Sequence, residues 1–307
     1  MRILICEFMD ERAVNRLRSA HDVHYDAALV DDAPALLHEG ARADALVVRN
    51  RTQVRGALLE ALVRCRVVGR LGVGLDNIDV AGCEARGMRV IPATGANALS
   101  VAEYVVTATL MLLRGAYAST LAVAAGQWPR TALSNGREAA GRTLGLIGYG
   151  SIGQLTARLA RGLGLRVIAF DAMMDGDHPA FADGAAACAG LDEVIQTADV
   201  VSLHVPLVDA TRGLFDAARI AAMKPGAVLI NTARGGIVDD AALAAALKSG
   251  HLGGAALDVF AGEPLPAVPY FQDCPNLLLT PHIAGLTAES NERVSFLVAD
   301  KLLEALA

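Results

Sequence analysis

Residues 144–160, LGLIGYGSIGQLTARLA, pass from an apolar run through three glycines into a segment with helical spacing. Gly148, Gly150 and Gly153 stand between the two as G-x-G-x-x-G. In that setting the first glycine permits a tight turn and the second lets main chain approach a pyrophosphate. The third allows the helix to pack closely on its strand. The amides of the helix N-terminus then face the phosphates. The next strand-like run, RVIAF, ends at Asp171, where a dinucleotide site needs a carboxylate for the adenosine ribose hydroxyls. A carboxylate there would repel a 2′-phosphate, and Ala172, Met173 and Met174 supply no arginine to receive one, so NAD is expected rather than NADP.

Outward from this unit the chain keeps the same rhythm. Before it, ILICEF, VHYDA, ALVVRN, RVVGRL and MRVIPA read as strands, with helical segments such as VRGALLEALV between them. After it, LRVIAFD, DVVSLHV, AVLINT, GAALDVF and NLLLT continue the series begun by TLGLIG. Strands alternating with helices predict parallel sheets, and two sets of five or six strands predict two domains. The boundary falls near residues 95–100, just before a long helix expected from Ser100 to Arg114, with Ser100 and Glu103 as a capping box. A last helix is expected from Thr287 to Ala307.

The bulk numbers agree with a globular chain that binds small molecules. Its 307 residues are 53% hydrophobic and carry a net charge of −6, so no basic footprint for nucleic acid or anionic lipid is present. No apolar run is long enough for a membrane span, and the N-terminal MRILICEFMDER is too short in its apolar part and too acidic for a signal peptide. The five cysteines are scattered and never spaced as C-x-x-C, which predicts reduced thiols, no metal site and a cytoplasmic protein.

Three further stretches sit just beyond strand-like runs. LINTARGGIVD (229–239) delivers Arg234 ahead of two glycines, and the planar fork of an arginine suits a carboxylate. DVFAGEPLP carries Asp258 and Glu263, and LLLTPHIAGLT carries His282. A histidine oriented by a carboxylate can exchange a proton near neutral pH. Taken singly, each reads more readily as a surface ion pair or a structural group. Their shared placement on one sheet with a dinucleotide fingerprint favours a joint catalytic reading.

The ordered set GLIGYGSIG, VIAFD, NTARGGIVD, ALDVFAGEP and TPHIAG resembles that of the D-isomer-specific 2-hydroxyacid dehydrogenases. Upstream, VGRLGVGLDNID and the G-x-W-x-R element at Gly126, Trp128 and Arg130 are similar to the phosphoglycerate dehydrogenase branch. The resemblance implies an α/β protein of two doubly wound parallel-sheet domains. One is a flavodoxin-like substrate domain formed by residues 1–97 plus 286–307; the other is a Rossmann NAD-binding domain over 98–285. It implies that Arg234 holds the substrate carboxylate and carbonyl oxygen, that His282 moves the proton and that Glu263 orients it. For the cofactor it implies the loop from Gly148 to Gly153, including Tyr149, Ser151 and Ile152, together with Asp171. His204, Val205 and Pro206 would line the adenosine side, Thr232 and Ala233 would lie near the nicotinamide ribose, and Asp258 would meet the carboxamide. Amides around Gly72, Val73 and Gly74 would hold the substrate carboxylate opposite Arg234, and domain closure would exclude water. The helix after Asn97 would contribute to a homodimer.

The expected activity is therefore NAD-dependent interconversion of a small 2-hydroxy acid and its 2-oxo acid. Arg49 and Arg51, in ALVVRNRTQV, would suit a substrate with a second anionic group if both faced it. The chain stops at Ala307 without the C-terminal regulatory extension of many phosphoglycerate dehydrogenases, which shifts the expectation from 3-phosphoglycerate toward sulfolactate and away from serine feedback. Two alternatives stand beside it: a glycerate- or lactate-type dehydrogenase, and an NAD-sensing corepressor on the same scaffold. A formate dehydrogenase is disfavoured because that pattern has glutamine where this chain has Glu263.

Overall fold

Of the first five strands the central ones are short and mostly apolar, as strands buried on both faces must be, while the second and fifth, DVHY and RVIP, are more open to solvent. In the computed structural model, which describes residues 1–307, they are β1 (Arg2–Ile5), β2 (Asp22–Tyr25), β3 (Ala45–Val48), β4 (Val67–Arg70) and β5 (Arg89–Pro92). They form one parallel sheet in the order β2-β1-β3-β4-β5, a doubly wound arrangement of the flavodoxin type. Seven more strands follow: β6 (Thr143–Ile147), β7 (Arg166–Phe170), β8 (Ala186–Ala187), β9 (Val200–Leu203), β10 (Val228–Asn231), β11 (Gly254–Leu257) and β12 (Leu277–Leu279). Their order, β12-β11-β10-β9-β6-β7-β8, is again parallel throughout. The chain divides into two compact units, residues 1–97 with 286–307, and residues 98–285.

Within the first unit the Ala288–Leu306 helix closes the sheet. Thr287 caps it, and Val298, Ala299 and Leu302 are fully buried with Ile3, Ile5 and Val47. Gly69 on β4 makes that approach possible, since a Cβ there would meet Val298 at 2.8 Å. Burying these aliphatic side chains contributes on the order of 1.5–3 kcal/mol each.

The second unit has its sheet covered on one side by the Ala98–Arg114 and Ser151–Gly162 helices. Gly145 in β6 lets the Leu191–Thr197 helix lie close on the other, because a Cβ there would be 2.5 Å from Val194 Cγ1. Two details differ from expectation. The long helix begins at Ala98, so Ser100 is a buried residue inside its first turn and not an N-cap, and no Ser100–Glu103 capping box forms. The two-residue strand β8 carried no periodicity to be read. No helix of the described residues is long and apolar enough to cross a membrane.

Candidate active site

The chain leaves β6 through Gly148, whose φ of +93° and absent Cβ are both needed: a side chain there would sit 2.6 Å from the His204 carbonyl oxygen. Gly153 admits the helix to the turn in the same way, with only 2.5 Å between an added Cβ and the Gly148 oxygen. The Ser151–Gly162 helix starts at Gly150 with no capping side chain, so its first amides remain available to an anion. Asp171, after β7, accepts from the Tyr149 amide at 2.7 Å and from the Met173 amide at 2.9 Å, which fixes its carboxylate beside the glycine turn.

Not every residue of this loop presents its side chain to a ligand. Tyr149 is fully buried, stacks on Phe181 at 4.8 Å between ring centroids and donates to Asp183 at 2.8 Å. The expectation that Tyr149 binds cofactor is therefore confined to its main chain. At His204, Nε2 pairs with Ser202 Oγ at 3.0 Å, and burial pushes the imidazole down to about 4, so the ring is neutral at working pH.

Beyond β10, Asn231 ties the next turn together. Its Oδ1 accepts from the Ala233 amide at 3.0 Å, and its Nδ2 donates to the Arg234 carbonyl at 2.9 Å. Arg234 Nη1 donates to the Ala233 carbonyl at 2.6 Å. Thr232 Oγ1 is buried and has no hydrogen-bond partner among the described residues, a position that suits a ribose hydroxyl. The turn lies directly on the loop after β11, since a Cβ at Gly235 would overlap the Phe260 carbonyl carbon at 1.8 Å.

That second loop carries Glu263. Its Oε1 accepts from the Phe260 amide at 3.0 Å, and its Oε2 accepts from His282 Nδ1 at 2.7 Å. With Nδ1–H committed to the carboxylate, Nε2 of the neutral ring has its lone pair free for a proton. The ring is 41% exposed, open enough to meet a substrate. His282 itself adopts φ +55°, uncommon for a residue with a Cβ, and its amide bonds to the Asp258 carbonyl at 2.8 Å and the Thr280 carbonyl at 3.0 Å.

Asp258 is 1% exposed and heavily used by its own chain. Oδ1 accepts from Thr280 Oγ1 at 2.6 Å and the Ile283 amide at 2.8 Å, while Oδ2 accepts from the Ala284 amide at 2.8 Å. A carboxylate has about four acceptor positions, so a carboxamide contact by Asp258 can use little more than the one remaining.

In the first unit, the Gly72 amide bonds to the Arg70 carbonyl at 2.8 Å. Val73 and Gly74 have no main-chain partner among the described residues. Arg49 and Arg51 are held differently. Both amides bond to the buried Glu7 carboxylate, at 2.8 and 3.2 Å. The Arg49 guanidinium stacks over Phe8 at 5.6 Å and donates to Asn291 Oδ1 at 2.5 Å, with the Glu7 carboxylate acting on its charge and no ion pair to it among the described residues. Arg51 is exposed and ion-paired with Asp31. The two arginines do not share a face because β3 ends at Val48, after which alternation no longer applies.

Nothing in the sequence marks Glu7, Tyr104 or Thr280 for the contacts they make here. Only Asn231 has a local signal for its contacts, an Asn at a strand end two residues before an amide it can cap. Among the described residues, no group of His, Cys, Asp or Glu could hold a metal ion.

The sequence model of the D-isomer specific 2-hydroxyacid dehydrogenase NAD-binding domain matches residues 106–284. The chain is 53% identical to (S)-sulfolactate dehydrogenase of Chromohalobacter salexigens, over 99% of this chain and 98% of that one. It is 39% identical to D-3-phosphoglycerate dehydrogenase of Mycobacterium leprae over 90% of its own residues, but spans only 52% of that relative's length. Among solved structures, a glyoxylate reductase from Paecilomyes thermophila superposes with a TM-score of 0.87 at 28% identity, covering 100% of this chain and 95% of that one. An NAD-dependent oxidoreductase that interconverts 2-hydroxy and 2-oxo acids, the chain belongs to the D-isomer specific 2-hydroxyacid dehydrogenase family.

Proposed function

We propose that the chain interconverts sulfolactate and sulfopyruvate, with His282 as the proton carrier, Glu263 as its orienting carboxylate and Arg234 as the guanidinium that holds the substrate carboxylate. The observation that carries the chemistry is the 2.7 Å bond from His282 Nδ1 to Glu263. NAD, when bound, supplies the acceptor for the hydride leaving C2. The residues that would hold it are Gly148, Gly150 and Gly153 with the amides of Ser151 and Ile152, then Asp171, the main chain of His204, Val205 and Pro206, Thr232 with Ala233, and Asp258. The orphaned Thr232 hydroxyl and the uncapped helix start fit that group.

In the oxidative direction His282 Nε2 takes the C2 hydroxyl proton, and Glu263 stabilises the imidazolium so formed. Arg234 neutralises the carboxylate and polarises the developing carbonyl. In the reductive direction the imidazolium returns the proton. Sulfolactate is favoured by the 53% identity over nearly the whole of both chains, and by Arg49, whose guanidinium is held by the neutral side chain of Asn291. Arg49 takes the second anionic group in this reading; Arg51 belongs to Asp31. Gly72, Val73 and Gly74 keep their assignment as an anion-binding turn of the first unit.

We further place the protein in the cytoplasm as a homodimer. Leu121 and Trp128, 84% and 77% exposed, supply apolar surface for that contact in this reading.

The test is NADH oxidation with sulfopyruvate, phosphohydroxypyruvate, hydroxypyruvate, phenylpyruvate and pyruvate. Sulfopyruvate should lead, Arg49→Gln should cut that lead by about tenfold or more, and Arg51→Gln should leave it. Uncharged acids winning would overturn the substrate class; absence of turnover with all five would bring back the binding-protein alternative.

A further inference from the structure

The hydroxyl of Tyr104, on the Ala98–Arg114 helix, lies 2.6 Å from Thr280 Oγ1. Thr280 Oγ1 lies in turn 2.6 Å from Asp258 Oδ1, to which it donates. A threonine hydroxyl has a single proton. Once that proton is directed at the carboxylate, the bond between the two hydroxyls must use the proton of Tyr104. The result is a chain with a fixed direction, from tyrosine through threonine to an anion.

What the anion holds is the loop that carries His282. Its oxygens accept the Ile283 and Ala284 amides at 2.8 Å each, and the Asp258 carbonyl accepts the His282 amide at 2.8 Å. Three consecutive amides thus end on one residue. His282 sits among them at φ +55°, a conformation that persists only where the surroundings impose it. The orientation of Asp258 and the placement of the imidazole are therefore one structural variable. Burial, with Asp258 nearby, raises the Tyr104 hydroxyl above its ordinary range even though Thr280 opposes the shift, so it stays protonated.

We propose that Tyr104 and Thr280 are positioning residues for proton transfer: through Asp258 they hold the His282 loop in its left-handed conformation. The proposal rests on His282 being the proton carrier. Neither residue touches reacting atoms, so their loss acts on the position of the ring and not on the affinity for the acid. The signature is a fall in kcat at unchanged KM.

The experiment compares Tyr104→Phe, Thr280→Ser, Thr280→Val and His282→Asn in the full chain. Each is assayed with the acid from the panel above that the native protein turns over fastest, and each is melted. Tyr104→Phe should lower kcat about fivefold, the value of one ordinary hydrogen bond, with KM within about twofold. Thr280→Val should lose more, about tenfold or beyond, and Thr280→Ser should regain nearly all of it. A Tyr104→Phe protein with native kcat overturns the proposal, as does Thr280→Ser as slow as Thr280→Val, or a kcat loss matched by a rise in KM. If His282→Asn keeps its turnover, the proton-carrier reading fails and takes this proposal with it. If His282→Asn is inactive while Tyr104→Phe is unimpaired, only the positioning role falls.

Discussion

Replacing Gly235 by alanine places a methyl group 1.8 Å from the carbonyl carbon of Phe260, 2.0 Å from its oxygen and 2.3 Å from the Ala261 nitrogen. All three obstacles are main chain, so no rotamer change relieves them. Ordinary contact begins near 3.4 Å, which leaves a shortfall of about 1.6 Å to be taken up by moving one loop against the other. One of those loops carries Arg234, and the other is tied to Glu263 through the Phe260 amide. Overpacking of a buried site costs about 1–3 kcal/mol, and here the upper end is expected. A misplacement of about 1 Å at a catalytic constellation costs about 100-fold in rate. Gly235→Ala should therefore melt several degrees lower and lose about 100-fold in kcat with the best acid of the panel, while keeping most of its NADH affinity by fluorescence titration. Gly262→Ala, on the facing loop that carries Phe260 and Glu263 and with nothing within 4 Å of the added Cβ, should behave as the native protein. A Gly235→Ala enzyme within about threefold of native kcat would refute the argument that these two loops fix the site together.

Two other perturbations probe different parts of the molecule. Asp171→Ser removes the carboxylate beside the glycine turn and should raise KM for NADH about tenfold while leaving NADPH use unchanged or improved; an unmoved NADH/NADPH ratio in steady-state assays would contradict the assignment. Asp240 is raised to about 6 by burial and by Asp239, so its ionisation opposes folding. Its stabilising influence is complete below pH 4 and is lost as pH rises through about 6. Because the group is partly exposed, the effect is discounted to about 1 kcal/mol, and Asp240→Asn should raise the melting temperature at pH 8 but not at pH 4. Equal gains at both values would disprove the linkage.

The class of fold was legible because most strand runs are apolar and alternate with helical patterns, and the turn from β6 announces itself in three glycines. What escaped reading lacks such local marks. Strand β8 is two residues long. The helix at Ala98 begins before the residue whose chemistry resembles a cap, because the preceding chain already turns and the burial of Ala98 sets the start. Arg49 and Arg51 look alike in the sequence, yet Asn291 engages one from 242 positions away and Asp31 the other from 20. Tyr104 is 176 residues from Thr280, and no periodicity or spacing connects them. Pairings of this kind are products of the assembled sheet, so a one-dimensional reading can name the types of residue that do chemistry but not the groups that hold them still.

The Ala288–Leu306 helix belongs to the unit that opens the chain, and Val298, Ala299 and Leu302 fill that unit's core. During synthesis, residues 1–97 emerge before 98–285 but lack one wall of their own interior until residues 288–306 have followed. The nucleotide-binding unit, contiguous from 98 to 285, has no such debt and can fold while translation continues. The usual order, N-terminal part first, is inverted here. The segment that is made first is finished last, and in the interval β4 and β5 stand without the helix that covers them.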